Sequence, residues 1–472
     1  MATIIEQQPL SNPGTADKVL PVGQEIIYTV SNSSVVSSFT NVKFIAEVHI
    51  SNSTPPNPNT TNDLVGTFKT TPNNAGVGMF DFRPIIESFV NADNLAREGS
   101  AYKGTTNTLN SNVPVHLIDK YSGNINTMRW FNVKFMVEYI DNDPTSATYG
   151  ELLTNSEVIA GMCIIFNGYL KYTDELLLSG VNFGYDLYSH FLLDGSTKKF
   201  LTNAPTTQYA NLEDYGTVGL LMPYTAVGIE IIYFDSAGNY LSQEQINFTA
   251  ANGGFLYPQA NIQASLLYFG LFPANLQGSS TMFQGYVSAG TIQGGHYNLA
   301  VLNDTGQVSS STYTINLNCP TLKGYEPIRL TWLNQWGAWD YYTFNMKSTK
   351  TISTKGSTYQ QLEGSWNESV YKIDSFKGGK KAFRVNATEK IKMNTDFVSE
   401  SESEWFEELI NSPEVYILEG FQDDTVNSAL NNYVIPVRLT TSSYTKKTVA
   451  NDKLMQYTFE VEKSKTLRTQ SV

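Results

Sequence analysis

The sequence predicts a mainly β protein: tandem β-sandwich domains of immunoglobulin-like type with a few short helices. Three observations carry this. The composition is rich in residues that suit a pleated, half-buried surface, with 28 Tyr, 25 Phe and 34 Gly, and only 16% of residues are charged. Apolar and polar residues alternate with period two, best at Phe131, Val133, Phe135, Val137 and Tyr139 against Asn132, Lys134 and Glu138. From about residue 170 to 318, short strands recur between turn signals at Asp194-Gly195, Pro205, Ala237-Gly238-Asn239, Asn252-Gly253 and Asp304-Thr305-Gly306, the rhythm of a sandwich. The Cys-Trp-Cys spacing of antibody domains is absent.

A chain of 472 residues exceeds one core. The expected division is an extended N-terminal arm over 1–20, a β-sandwich with one helix over 21–169, an immunoglobulin-like β domain over 170–324 and a C-terminal β-rich domain with one helix over 325–472. The arm is polar and broken by Pro9, Pro13 and Gly14, so it is either disordered or laid across a neighbour.

Ile26–Val30 opens the first domain. Phe44, Ala46, Val48 and Ile50 then alternate with Lys43, Glu47 and His49, which places His49 on the solvent face. The Pro/Asn/Ser/Thr stretch Ser51–Asp63 is a surface loop before the strand Leu64–Thr71. Gly76–Asn91 reads as a helix capped by Asp81, with Pro84 early and Ile85, Ile86, Phe89 and Val90 as its stripe. Asn94–Pro114 is a second long polar stretch, and Val158–Phe166 with the Asn167-Gly168 turn closes the domain. In the second, Val227–Phe234 is apolar enough to be a central strand and Thr312–Leu317 alternates.

The aromatic run Tyr325–Phe344 organises the last third of the chain. Trp332, Trp336 and Trp339, three of the six tryptophans, are followed directly by Asp340, Tyr341 and Tyr342. So much ring area demands a core or a contact surface. Ile328, Leu330 and Trp332 share one parity against Arg329 and Thr331, the pattern of a half-buried strand, and Tyr341–Met346 is its return across Asn334–Gly337. Further on, Ser401 with Glu404 suggests a capping box for a helix whose i, i+4 pairs are Trp405 with Leu409 and Phe406 with Ile410; Pro413 ends it. Tyr457, Phe459 and Val461 mark a final strand.

Three segments carry a resemblance: YEPIRLTWLNQWGAWDYYTFNMKS at 325–348, ESEWFEELINSPEVYIL at 402–418 and GVGMFDFRPIIESFV at 76–90. They resemble stretches of tail and virion structural proteins of tailed bacteriophages from aquatic and Bacteroidota-type hosts. The resemblance implies a virion protein, of the tail or its tip, and it implies no catalytic residue. Residues 1–14 lack the basic and apolar regions of a signal peptide, which fits assembly in the host cytoplasm, and the neutral polar surface, the arm and the long polar loops point to a protein of the tail tip or baseplate that binds itself and other tail proteins.

Residue chemistry points the same way. A net charge of −13, with no Lys/Arg-rich run, argues against nucleic-acid partners, and no apolar run reaches membrane-spanning length. His49, His116, His190 and His296 are too scattered for a metal pair, so no metal or cofactor is expected. Cys163 reads as a small buried hydrophobe, a disulfide with Cys319 being the lesser alternative. Asp340 among aromatics is the one candidate glycosidase acid, but it reads better as a turn cap. Asp423-Asp424 lacks the alternating ligands of a calcium loop. Lys377, Lys380 and Lys381 flank Gly378-Gly379 in a hairpin turn and suit an acidic neighbour. The expected function is therefore structural, with Trp332, Trp336, Trp339, Asp340, Tyr341, Tyr342 and the three lysines as packing or interface residues. The alternatives are a host receptor- or carbohydrate-binding virion protein using the tryptophans as stacking platforms, or a decoration protein of the head or neck.

Overall fold

In the computed structural model of the chain, the described residues are 2–9, 18–96, 113–171, 200–221, 226–247, 266–303, 305–318, 324–366, 369–419, 433–443, 445 and 455–468. The chain is mainly β, with several separate sheets and few, short helices. It divides into two compact units. Met1–Cys319, Leu333–Asp340 and Phe421–Asn431 form one; Pro320–Trp332, Tyr341–Gly420 and Asn432–Val472 form the other. The stretch expected as one domain over 21–169 and residues 170–319 of the next lie within one unit, while 320–324 belong to the other.

The first sandwich packs a three-stranded sheet (Ile4–Gln7, Ile27–Ser31, Val77–Asp81) on a larger one. The larger sheet runs Lys18–Pro21, Cys163–Phe166, Met128–Ile140, Thr40–Ser51, Leu64–Thr70, with Leu152–Ile159 also paired to Met128–Ile140. Its core joins Tyr28, Val30 and Phe80 of one sheet to Phe44, Val48, Phe131 and Phe135 of the other. The Tyr28 and Phe80 rings each lie 5.6 Å from that of Phe135. The arm is not free where it is described, because Ile4–Gln7 pairs antiparallel with Ile27–Ser31 and Lys18–Pro21 pairs parallel with Cys163–Phe166.

Several expectations change here. Met128–Ile140 is buried on both faces, and its polar members survive by pairing: Lys134 lies 3.1 Å from Glu157 and 3.8 Å from Glu47, and Glu138 takes Lys69. His49 is buried rather than solvent-facing, its Nδ1 lying 3.3 Å from the carbonyl of Asn62 in the loop before the next strand. The helix expected over 76–91 is cut to Arg83–Ile86 and a 3-10 turn at Glu87–Phe89. Its first part is instead the strand Val77–Asp81, whose Phe80 and Gly78 pair with Tyr28 and Val30. Asp81 still accepts from the Arg83 N–H at 3.0 Å.

The second sandwich repeats the first one's plan. Its five-stranded sheet runs Thr207–Ala210, Tyr313–Leu317, His296–Asn303, Ala226–Phe234, Tyr240–Asn247, with the first pair again parallel and Ala226–Phe234 inside the sheet as expected. In both sheets an early strand lies parallel to the last one; the last one then neighbours Met128–Ile140 in the first sandwich and the penultimate strand, His296–Asn303, in the second. The Tyr297 hydroxyl, near the start of that penultimate strand, donates to the Leu271 carbonyl at 2.7 Å, which gives a buried phenol its partner. The facing sheet, Thr217–Leu221, Leu266–Gly270 and Tyr121–Gly123, takes its last strand from the segment expected to belong to the preceding domain. The turns expected at Asp194-Gly195, Asn252-Gly253 and Asp304 lie outside the described residues, as does Cys319; Cys163 is a buried thiol.

In the second unit, one antiparallel sheet includes Ile328–Leu333, Val415–Leu418, Val434–Leu439, Thr458–Lys463, Gly379–Asn394 and Thr349–Gln361 in that order. The helix Glu400–Asn411 buries Trp405, Phe406 and Leu409. Its capping box is Ser399 with Glu402, two residues ahead of the expected Ser401 and Glu404. The strand Ile328–Leu333 is buried throughout rather than on one face, and Arg329 is accommodated by donating to Thr343 Oγ1 at 2.8 Å and lying 5.2 Å from the Tyr341 ring centre.

Candidate functional site

The aromatic run forms a hairpin whose turn, Leu333–Asp340, packs in the first unit. Asn334 governs the turn: its Oδ1 accepts from the backbone N–H of Trp336 and of Ala338 at 3.0 Å each, and its amide donates to the Leu201 carbonyl and to Asp340 Oδ1. Gly337 sits at φ +70, and a Cβ there would stand 2.3 Å from the Asn167 carbonyl, so backbone packing requires glycine.

Trp336 and Trp339 are buried, with indole N–H bonds to Asn203 Oδ1 (3.1 Å) and to the Asp93 carbonyl (2.8 Å). The Asp93 carboxylate accepts from the N–H groups of Ile125 and Asn126 and the hydroxyls of Thr127 and Tyr268. Burial nevertheless pushes Asp93 above the ordinary carboxylate range, outweighing those bonds. Asp340 is also buried and accepts from Thr202 Oγ1 at 2.7 Å. These carboxylates are tied into a structural polar network.

In the second unit, Trp332 is fully buried, 4.9 Å from the ring of Trp405, and Tyr341 is buried too. Tyr342 is half-buried, 4.9 Å from both Phe344 and Phe406, and burial raises its hydroxyl pKa, with Glu402 adding to the effect. Trp332, Trp336 and Trp339 therefore present no ring face on which a sugar could stack. The histidines are dispersed: His116 is buried edge-on to Trp339 at 4.8 Å, His296 stacks on Phe234 at the start of a strand, and His190 lies outside the described residues, as does Asp423-Asp424. Among the described residues there is no cluster suited to a metal ion, and no helix long and apolar enough to cross a membrane.

The exposed chemistry lies elsewhere. Thr349–Gln361 and Gly379–Asn394 form a long hairpin, joined at its tip by a small second hairpin, Gly364–Ser365 with Lys372–Ile373. At the tip the half-exposed polar groups pair with one another while the large apolar side chains face solvent. Ser365, Asp374 and Lys377 bond to one another, Lys377 Nζ lying 3.4 Å from Asp374, and Lys381 donates to the Phe376 carbonyl at 2.9 Å. The Ser365 hydroxyl, with help from Lys377, holds the Asp374 carboxyl below its usual range. Trp366, Ile373 and Phe376 are 75%, 77% and 73% exposed, and Leu362, Val370 and Tyr371 are exposed beside them in sequence. Lys377 and Lys381 thus brace the tip, while Lys380 is exposed. Half-exposed polar groups that bond to one another beneath solvent-facing apolar side chains are the reverse of a folded core, and a cluster of exposed rings of this kind suits contact with a partner. Sequence reasoning placed the lysines here but missed Trp366, Ile373 and Phe376. The available signal was Thr349–Gln361 itself, whose one aliphatic side chain of any size, Ile352, gives the strand no face to bury.

No protein-family model matches the chain, and no curated protein matches it. Among solved structures, the chain is aligned with the periplasmic chaperone SfaE at 10% identity, covering 68% of this chain and 100% of that one, with a TM-score of 0.14. A structure described as BspA_C_WT aligns at 8% identity over 67% of this chain and 100% of that one, with a TM-score of 0.13. Scores this low carry no argument about fold or function.

Proposed function

We propose that the chain is a structural component of a tailed-bacteriophage virion, placed at the tail tip or baseplate, which works by binding copies of itself and neighbouring virion proteins and catalyses no reaction. The observation that carries the association reading is the hairpin tip, where an internally braced polar scaffold holds Trp366, Ile373 and Phe376 in solvent. Its preformed geometry lowers the ordering cost of binding. The placement in a virion is supported by the resemblance of the three segments at 76–90, 325–348 and 402–418. Mass spectrometry and gold-labelled antibodies on purified particles test it: the expected result is a stoichiometric tail component, and absence from particles overturns it. A second reading, recognition of a host-surface glycan or protein, is favoured by the exposed rings of Trp366, Tyr371 and Phe376 rather than by the buried tryptophans. It requires that the isolated protein bind host cells and block adsorption, with Trp366→Ser losing both effects.

A further inference from the structure

We infer that the occupant of the hairpin is a second copy of this chain, the hairpin of one copy docking on the net-acidic Met1–Cys319 region of the next; this rests on the association reading above. Two observations lead to a partner. From Gly379 to Arg384 the outer strand pairs only with Ser357–Gln361 among the described residues, whereas Thr458–Lys463 and Leu467–Arg468 pair only from Asn386 onward. The outer hairpin is therefore a two-stranded ribbon, a form only marginally stable in water by itself. Its tip, together with Phe383, offers apolar side chains whose exposed area is on the order of 900 Å², close to what one partner contributes to a standard interface.

Charge identifies the partner. Residues 349–394 carry nine Lys and Arg against four Asp and Glu, within a chain of net charge −13. Residues 1–319 carry twelve against twenty-five. Each copy thus holds both a basic ribbon with an apolar end and a region of net negative charge, and complementary charge steers association and fixes its orientation. A nucleic acid would use the lysines but leave Leu362, Val370 and Ile373 without a role, and the acidic remainder of the chain would repel it. Because the two surfaces differ, the contact is heterologous, so copies join head to tail into a closed ring or an open chain instead of a two-fold dimer.

The test uses the full chain. Sedimentation velocity at 50 mM salt is expected to show oligomers larger than dimers, with affinity falling at least tenfold at 500 mM salt. Trp366→Ser with Phe376→Ser, and separately Lys380→Glu with Arg384→Glu, are each expected to weaken association at least tenfold while leaving the circular-dichroism melting curve unmoved. Carbodiimide cross-linking of mixed heavy and light protein is expected to join hairpin lysines to carboxylates within 1–319 of another copy. A monomer at 100 μM in low salt overturns the inference, as do oligomers indifferent to both variants. Binding of a 30-nucleotide DNA probe through Lys380 and Arg384 without self-association also overturns it, in favour of a nucleic acid. If the chain is monomeric yet Trp366→Ser with Phe376→Ser blocks its entry into particles, the second-copy inference falls and the association reading stands. If the variant enters particles normally as well, both fall.

Discussion

Two aromatic hairpins follow one another in this chain, and they behave in opposite ways. The Ile328–Leu333 and Trp339–Phe344 hairpin hides its tryptophans, while Thr349–Gln361 and Gly379–Asn394 hold Trp366 and Phe376 in water. The difference lies in where the polar groups find partners. In the first, Asn334 and Asp340 bond to Leu201 and Thr202, distant in sequence, which draws the turn inward. In the second, Ser365, Asp374 and Lys377 satisfy one another within the tip and need nothing from the body of the protein. Aromatic density therefore does not separate core from contact surface; the source of the polar partners does.

Substitutions can break this comparison. The largest effect is expected from truncating the buried rings: Trp339→Ala and Trp332→Ala should each cost about 3–5 kcal/mol in urea denaturation, whereas Trp366→Ser should stay within about 0.5 kcal/mol. Unfolding by Trp366→Ser would show that the tip is part of a core and end the distinction. Next come two glycines with left-handed backbone. Gly337→Ala meets the Asn167 carbonyl and should cost about 2–3 kcal/mol, while Gly379→Ala, at φ +73 with open space around it, should cost about 1 kcal/mol. Equal losses would mean that packing at the buried turn is looser than described. Ser399→Ala removes the capping bond beneath Trp405 and should cost about 1 kcal/mol, read from the melting temperature.

The smallest effects are those of pH, and they carry opposite signs in the two regions. Asp93 is raised above its ordinary 3.8 by burial, so its favourable contribution is complete below that pH and is lost as pH rises through the folded value. Wild type should gain stability relative to Asp93→Asn as pH falls from 7 toward 3.5. Asp374 is lowered from 3.8, so its contribution is present above that value and lost as pH falls through the folded one. Wild type should lose relative to Asp374→Asn over the same acid range, by a smaller amount because the site faces solvent. Urea midpoints at pH 7, 5 and 3.5 measure both.

The class of fold was legible because alternation and turn chemistry are local, as at Phe131–Tyr139 and Ala237-Gly238-Asn239. Burial on a strand's second face was not. Lys134 and Arg329 look like solvent-facing residues until Glu157 and Tyr341 arrive from elsewhere in the chain. The helix read over 76–91 failed because the pattern Val-Gly-Met-Phe-Asp suits a strand as soon as Tyr28 is available to pair. The capping box slipped by two residues because Ser399 with Glu402 and Ser401 with Glu404 are overlapping frames of one signature. The sequence left the aromatic run open between core and contact, and the structure buries Trp332, Trp336 and Trp339. Trp366, set among Ser365, Asn367 and Glu368, has no periodic neighbours to announce it.

The parallel pairing of Lys18–Pro21 with Cys163–Phe166 has a consequence for the chain's birth on the ribosome. An early segment must wait for its partner until Phe166 has been made and has left the exit tunnel, a delay on the order of ten seconds at ordinary translation rates. Until then the Met128–Phe131 end of the strand that Cys163–Phe166 will pair with offers an unfilled edge. Slowing elongation across residues 130–166 should lengthen that exposure and raise the share of nascent chains held by chaperones.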